Sequence, residues 1–218
     1  MESKYMSGVQ FALFFKEQVS SCLDVYMSIN KQIDPLAFED PLVIPLPQEI
    51  ATEAPSVMAR SKDGSASINI SLSRIDLIFN LSASERTFTW DKMTQIFKSF
   101  FTELRKNNDF SRFGCTTSYI EIVDEPAKRI CDEYLKTEHG NYCNEAMFRL
   151  NDPFFNGRDK YNRVTTVQNG SIVIDNISYD VVFTSLDINS DQERKVIGRE
   201  TVEFILDLST DATENELI

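Results

Sequence analysis

Alternating apolar and polar residues predict strands in the first half of the chain. Residues 9–15 are aromatic and rich in strand-forming side chains. The Asp-Gly pair at 63–64 separates two alternating runs, residues 56–61 and 66–72, which predicts a hairpin. The parity of the apolar positions then changes near Ser73, and this change predicts a bulge or a bend.

Helices are predicted where apolar residues recur about every 3.6 positions. The clearest case follows Thr89, which is a suitable N-cap for a helix from Trp90 to about Asn107. The same spacing over residues 16–31 predicts a shorter helix, with a continued strand as the alternative. The stripe on the longer helix consists of Trp90, Met93, Ile96, Phe97, Phe100, Phe101 and Leu104.

The middle of the chain contains one strand and one more helix. A strand is predicted over residues 114–123. Pro126 is typical of a first helical turn, and the helix that it begins is predicted to end near Lys136. Residues 137–163 show no clear period, so no element is predicted there.

Two pairs of turn-forming residues divide the last third of the chain into predicted strands. The Asn-Gly pair at 169–170 predicts a hairpin, and the Asp-Asn pair at 175–176 predicts a second turn. A strand is expected over residues 177–188. Apolar and acidic residues alternate over residues 202–208, which predicts a last strand.

This order of elements predicts an α+β fold in which helices pack on one face of one or more antiparallel sheets. The chain forms either a single domain over residues 1–218 or two similar α+β halves, about 1–125 and 126–218. Five prolines between positions 35 and 55 predict an extended connection with at most edge pairing.

Charge narrows the classes of partner. The 218 residues carry a formal net charge of -12, so the mean field repels phosphate and argues against nonspecific binding to nucleic acid or to an anionic membrane. The same charge fits a protein partner with a basic surface, and a homo-oligomer is an open alternative. No apolar run reaches the about 18–20 residues of a membrane span, and no signal peptide is predicted. Four irregularly spaced cysteines predict a reduced, cytoplasmic protein.

Reactive side chains are few. Cys131, His139 and Cys143, with Cys115 as a fourth ligand, would supply a zinc site, but none of them forms the close pair typical of such sites. A thiol nucleophile served by His139, the single histidine, is the enzymatic alternative. The sequence therefore predicts no catalytic residue, no metal ligand and no cofactor.

Carboxylates are grouped in two places. Residues 187–198 begin like a calcium loop but lack Gly at the sixth position and Glu at the twelfth, which favours a polar strand end. A second group is typical of a solvated charged face. Its members are Glu121, Asp124, Glu125, Asp132 and Glu133.

From residue 56 onward, several short motifs occur in an order that resembles a sporadically distributed family of uncharacterised bacterial and phage-borne proteins. The motifs are residues 60–64, the strand pair 68–81, Thr89-Trp90-Asp91, Arg112-Phe113-Gly114, Tyr119-Ile120 and residues 186–189. The resemblance implies a setting in mobile elements or defence loci, and it implies no catalytic residues. Residues 1–50 and the proline-rich segment depart from this family.

A second resemblance is to SecB-like chaperones, which are acidic α+β proteins that bind unfolded chains in apolar grooves. The 16 phenylalanines would suit such grooves, although core packing is the simpler explanation for them. The expected function is therefore non-catalytic protein binding, in a bacterial defence, toxin–antitoxin or phage counter-defence system, with a SecB-like holdase as the alternative. The expected contact residues are Phe38, Leu42, Ile44, Glu121, Asp124 and Glu125.

Overall fold

A computed structural model describes residues 4–47, 50, 52–81, 88–135, 143–191 and 196–216. Within these residues, nine antiparallel strands form one sheet in the order β2-β3-β4-β5-β1-β6-β9-β8-β7. The strands are β1 (Lys4–Phe15), β2 (Leu42–Val43), β3 (Val57–Arg60), β4 (Ala66–Ile70), β5 (Arg74–Asn80), β6 (Phe110–Ile122), β7 (Met147–Asn156), β8 (Asp159–Ile174) and β9 (Ile177–Ser190). The helices are α1 (Cys22–Ile33), α2 (Trp90–Leu104), α3 (Pro126–Ile130), which continues as a π-helical turn (Cys131–Leu135), and α4 (Arg199–Glu216). The predicted combination of an antiparallel sheet with helices is confirmed, and strand residues outnumber helical ones.

The aromatic core lies where α2 packs on β1 and β6. Phe97 of α2 stacks on Phe11 of β1 at 4.5 Å and on Phe113 of β6 at 4.9 Å between ring centroids. All three rings are fully buried. The predicted N-cap of this helix is confirmed, since the Thr89 hydroxyl accepts a hydrogen bond from the Lys92 amide.

The sheet has two unlike faces. Odd-numbered residues of β1, β5, β6 and β8 and even-numbered residues of β9 share one face, where they pack with α1, α2 and α4 in the main cluster or with α3 in a smaller one. Tyr119, for example, donates from its hydroxyl to Thr213 of α4. We call this the helix-covered face, and the other the open face. Among the described residues, no helix is long and apolar enough to cross a membrane.

The first half follows the predicted pattern closely. Asp63 and Gly64 form the turn between β3 and β4, and Gly64 adopts a positive φ of 70°. The parity change near Ser73 is a tight turn between β4 and β5, in which the Ser71 amide donates to the Arg74 carbonyl and the Arg74 amide donates to the Ser71 hydroxyl. Residues 16–31 contain helix α1 and no continued strand.

The proline-rich segment supplies only a short edge strand. Its β2 consists of two residues that pair with β3 at one edge of the sheet. Prolines lack the amide hydrogen that a longer ladder needs, which limits the pairing to the edge.

The hairpin predicted at residues 169–170 is wrong, because β8 runs through these positions without a turn. The Asn169 side chain is used elsewhere, accepting from the Ala146 amide at 2.6 Å and donating to the Asn144 carbonyl at 3.0 Å. The Phe183 ring covers Gly170 so closely that a Cβ there would lie 2.7 Å from the ring. Gly170 therefore permits a close contact and does not form a turn. The segment without clear period contains β7 and the first part of β8.

The last strand predicted over residues 202–208 is also wrong, because these residues belong to helix α4. Val202, Ile205 and Leu206 are buried, as spacings of three and four residues require on one helix face. Phe204 and Leu208 are partly buried on the flank of this face, which produces an apparent alternation. A short apolar run fits both periods, and here the longer spacing governs the fold.

Candidate functional site

The hairpin of β8 and β9 extends beyond its neighbours in the sheet. The last β7 partner of β8 is Met147, which pairs with Gln168, and the last β6 partner of β9 is Ile122, which pairs with Val181. Residues 171–180, here called the hairpin tip, therefore pair only with each other within these ladders. The turn predicted at 175–176 is confirmed, and Asp175 and Asn176 have positive φ angles of 51° and 64°.

The tip has one apolar side. Ile172 pairs with Tyr179 and Ile174 pairs with Ile177, so these four side chains project from the same side of the hairpin. That side belongs to the open face of the sheet, since it continues the parity of Val181 and Phe183. The alternation over residues 171–180 and the Asp-Asn turn would have predicted this apolar side from the sequence. The hairpin wrongly predicted at residues 169–170 gave a different pairing of the strands and hid it.

Exposure increases along this side from the sheet towards the turn. Val181 is fully buried, Ile172 and Tyr179 are half-buried, and Ile174 and Ile177 are 41% and 55% exposed. Met147, which is 60% exposed, borders the same side through its pairing with Gln168. Exposed, contiguous apolar groups on a hairpin are typical of a contact surface.

Carboxylates surround the base of the tip. The Val123 amide donates to the Asp180 carbonyl, so the end of β6 lies directly beside the hairpin. Asp124 and Glu125 follow this contact, and both are exposed, as is Asp175 in the turn. Asp180 is also exposed, but it pairs with Ser171 and projects from the side opposite the apolar one. Two of the contact residues predicted from the sequence, Asp124 and Glu125, therefore lie beside the base of the hairpin tip, which the sequence did not predict as a surface.

The remaining acidic residues of this region are largely neutralised by α3. Arg129 contacts Glu121 at 3.0 Å and Glu133 at 2.9 Å, and Lys128 contacts Asp132 at 2.7 Å. The carboxylates raise the pKa of Lys128 through its hydrogen bond and charge interaction with Asp132. These ion pairs agree with the solvated charged face predicted from the sequence. Glu121, one of the predicted contact residues, is therefore already paired with Arg129.

The apolar contact residues predicted in the proline-rich segment lie elsewhere. Phe38 pairs with Ser61 and packs partly against the main core, Leu42 is 58% exposed on β2, and Ile44 is half-buried. Ile44 lines an open cleft of about 660 Å³ with Val19, Leu23, Val43 and Leu46. Four strands separate β2 from β6 in the sheet, which corresponds to roughly 24 Å at normal strand spacing. The structure does not bring the apolar and acidic sets predicted from the sequence into one surface.

The thiols occupy different places. Burial raises the pKa of Cys115 to about 12 in the main core. Cys131 and Cys143 adjoin each other in the smaller cluster, where burial and the neighbouring thiol raise the pKa of Cys131. A raised pKa keeps a thiol protonated and weakens it as a nucleophile. His139 lies outside the described residues, and among the described ones no group of three or more His, Cys, Asp or Glu is arranged to hold a metal.

In comparisons with known proteins, no protein-family model matches this chain and no curated protein sequence matches it.

Proposed function

We propose that this protein is a non-catalytic protein-binding protein that holds its partner on the hairpin tip. The observation that supports this proposal is the shared apolar side of Ile172, Ile174, Ile177 and Tyr179, which becomes exposed towards the turn of a hairpin whose base and turn carry carboxylates. Apolar groups at the centre and charged groups at the rim are the usual arrangement of a protein interface.

The partner of this surface is a protein with an apolar depression bordered by Lys and Arg. Asp124 and Asp175 have no ion pair within the described part of the chain, and the whole chain has a net charge of -12. A basic rim on the partner would complement these carboxylates and increase the association rate. The resemblance of residues 56–218 to phage-borne proteins supports a search for this partner among products of neighbouring genes.

The test compares two positions on the same hairpin. Ile177→Ser removes a β-branched side chain from the apolar side, and Val173→Ser removes one that is 70% exposed on the opposite side. The full chain and both variants are co-expressed with products of neighbouring genes, and any complex is measured by light scattering and calorimetry. We expect a one-to-one complex, with affinity at least about tenfold weaker in Ile177→Ser and unchanged in Val173→Ser.

The unfolding free energies of both variants should lie within about 0.5 kcal/mol of the parent, because the mutated side chains are exposed. Equal loss of affinity in both variants would exclude the apolar side as the contact. Binding of many unrelated unfolded chains, with equal affinity for the parent and Ile177→Ser, would favour the SecB-like alternative. A double variant, Asp124→Asn with Glu125→Gln, should slow association and reduce its salt dependence.

A further inference from the structure

Four residues form a row across the open face at the centre of the sheet, with a polar residue at each end and two small residues between them. Asp76 of β5, Ala12 of β1, Gly114 of β6 and Asn189 of β9 pair in register. Ala12 and Gly114 provide a floor with almost no side-chain bulk between the two polar ends. The Cβ of an alanine at position 114 would lie 3.3 Å from the Asn189 side chain, a tight contact that favours glycine at this position.

Two arginines meet at one end of this floor. Phe14 pairs with Arg74 on one side and with Arg112 on the other. The Arg74 guanidinium lies 5.3 Å from the centre of the Phe14 ring, and that of Arg112 lies 4.9 Å from it. The ring thus orients two cations towards the same region of the open face.

The two guanidiniums differ in their hydrogen bonding. Arg74 donates from Nε to both carboxylate oxygens of Asp76 at 2.8 Å, and Gln10 donates to the same carboxylate. The Nε of Arg112 is buried and has no hydrogen-bond partner among the described residues. Leaving a charged donor buried without an acceptor is costly, so an acceptor is expected at this position.

The nearby carboxylate of Asp187 is not that acceptor. It accepts from the Asn189 amide at 2.9 Å, and desolvation raises its pKa although Arg112, Arg149 and Arg74 act in the opposite direction. Three arginines therefore surround two carboxylates, one of them committed to Arg74. The sum of these charges is positive, although the whole chain has a net charge of -12.

We propose that the open face contains an oxyanion-binding site, for a carboxylate or a phosphate group, with Arg112 as its main ligand. The guanidinium of Arg112 is planar and stacks on Phe14, and two of its N–H donors can hold two oxygens of one group, which is the usual geometry for recognition of such anions. This site is separate from the hairpin tip and does not depend on the function proposed for the tip.

The test uses inorganic phosphate and acetate as probes. The melting temperature of the full chain is measured at constant ionic strength while each anion replaces chloride. We expect a saturable rise with at least one of the two anions, and their relative affinities distinguish a phosphate site from a carboxylate site. Arg112→Gln should weaken the apparent affinity about tenfold or more, and Arg112→Lys should weaken it less, because lysine keeps the charge without the planar fork.

Two further variants make the result specific. Arg163→Gln is a matched control, because Arg163 also lies over a phenylalanine ring, that of Phe154, but on the opposite face of the sheet. It should leave the response unchanged, whereas Asp187→Asn should strengthen it by removing a competing negative charge. Circular dichroism verifies the fold of each variant. A response that does not saturate, or that is equal in Arg112→Gln and the parent, would overturn the proposal.

Discussion

The centre of the sheet and the hairpin tip use similar side chains in opposite ways. At the centre, the rings of Phe11, Phe97 and Phe113 stack under α2 and are fully removed from water. At the tip, Ile174 and Ile177 form a cross-strand pair with 41% and 55% of their surface exposed. A two-stranded hairpin cannot bury a face by itself, and no described helix reaches this side. Apolar side chains therefore stabilise the fold at the centre of the sheet, whereas at the tip they remain available for contact with another molecule.

The largest expected effect comes from removing an aromatic ring at the centre. Phe97→Ala should reduce the free energy of unfolding by about 3–5 kcal/mol, because the cavity is enclosed by stacked rings that cannot collapse into it. Phe155→Ala on β7 is the matched control, since that ring is 69% exposed and should contribute less than about 0.5 kcal/mol. Urea unfolding measures both. Similar losses in the two variants would remove the distinction between the regions.

A smaller effect is expected at Gly170, where β8 leaves the rest of the sheet and enters the hairpin tip. Gly170→Ala places a methyl group 2.7 Å from the Phe183 ring and should cost about 1–2 kcal/mol through displacement of that ring. Gly198→Ala is the control, because its nearest contact would be an ordinary 3.6 Å.

Phe183→Leu should recover part of the loss in the double variant with Gly170→Ala, which a double-mutant cycle detects. Additive effects in that cycle would mean that the ring does not limit the space at position 170.

The smallest effect concerns the pH dependence of the open face. Because burial raises the pKa of Asp187 above that of the unfolded chain, about 3.9, the folded state binds more protons between these two values. The unfolding free energy of the parent, relative to Asp187→Asn, should therefore fall as the pH rises through this interval and become constant above it. The groups facing Asp187 are Asn189, Arg112, Arg149 and Arg74, all of which favour its charged form. Urea unfolding at several pH values checks the sign, and a rise with pH would contradict it.

Local signals predicted the elements whose own residues determine them. Thr89 caps α2, and the Asp-Gly and Asp-Asn pairs form turns, because backbone conformation and capping depend on adjacent residues. Residues 169–170 failed because a neighbouring strand, through Phe183, decided the role of Gly170. Residues 202–208 failed because a short apolar run fits both a strand and a helix.

The candidate surface was predictable only in part. Asp124 and Glu125 stood out as acidic residues near the end of a strand, and the structure places them beside the tip. Phe38, Leu42 and Ile44 stood out as apolar residues in an open segment, yet the strand order separates them from the acidic set. Strand order depends on pairing between distant parts of the chain, and such pairing leaves no local pattern.

The position of β1 has a consequence for synthesis of the chain. Phe11 of β1 has Leu77 and Cys115 as its cross-strand neighbours, so the middle strand of the finished sheet is translated before both of the strands that flank it. Its aromatic side chains must wait in water until both neighbours have been translated, and an unpaired, apolar strand is prone to aggregate during that delay. A nascent chain of this protein therefore depends on whatever shelters β1 until β6 emerges.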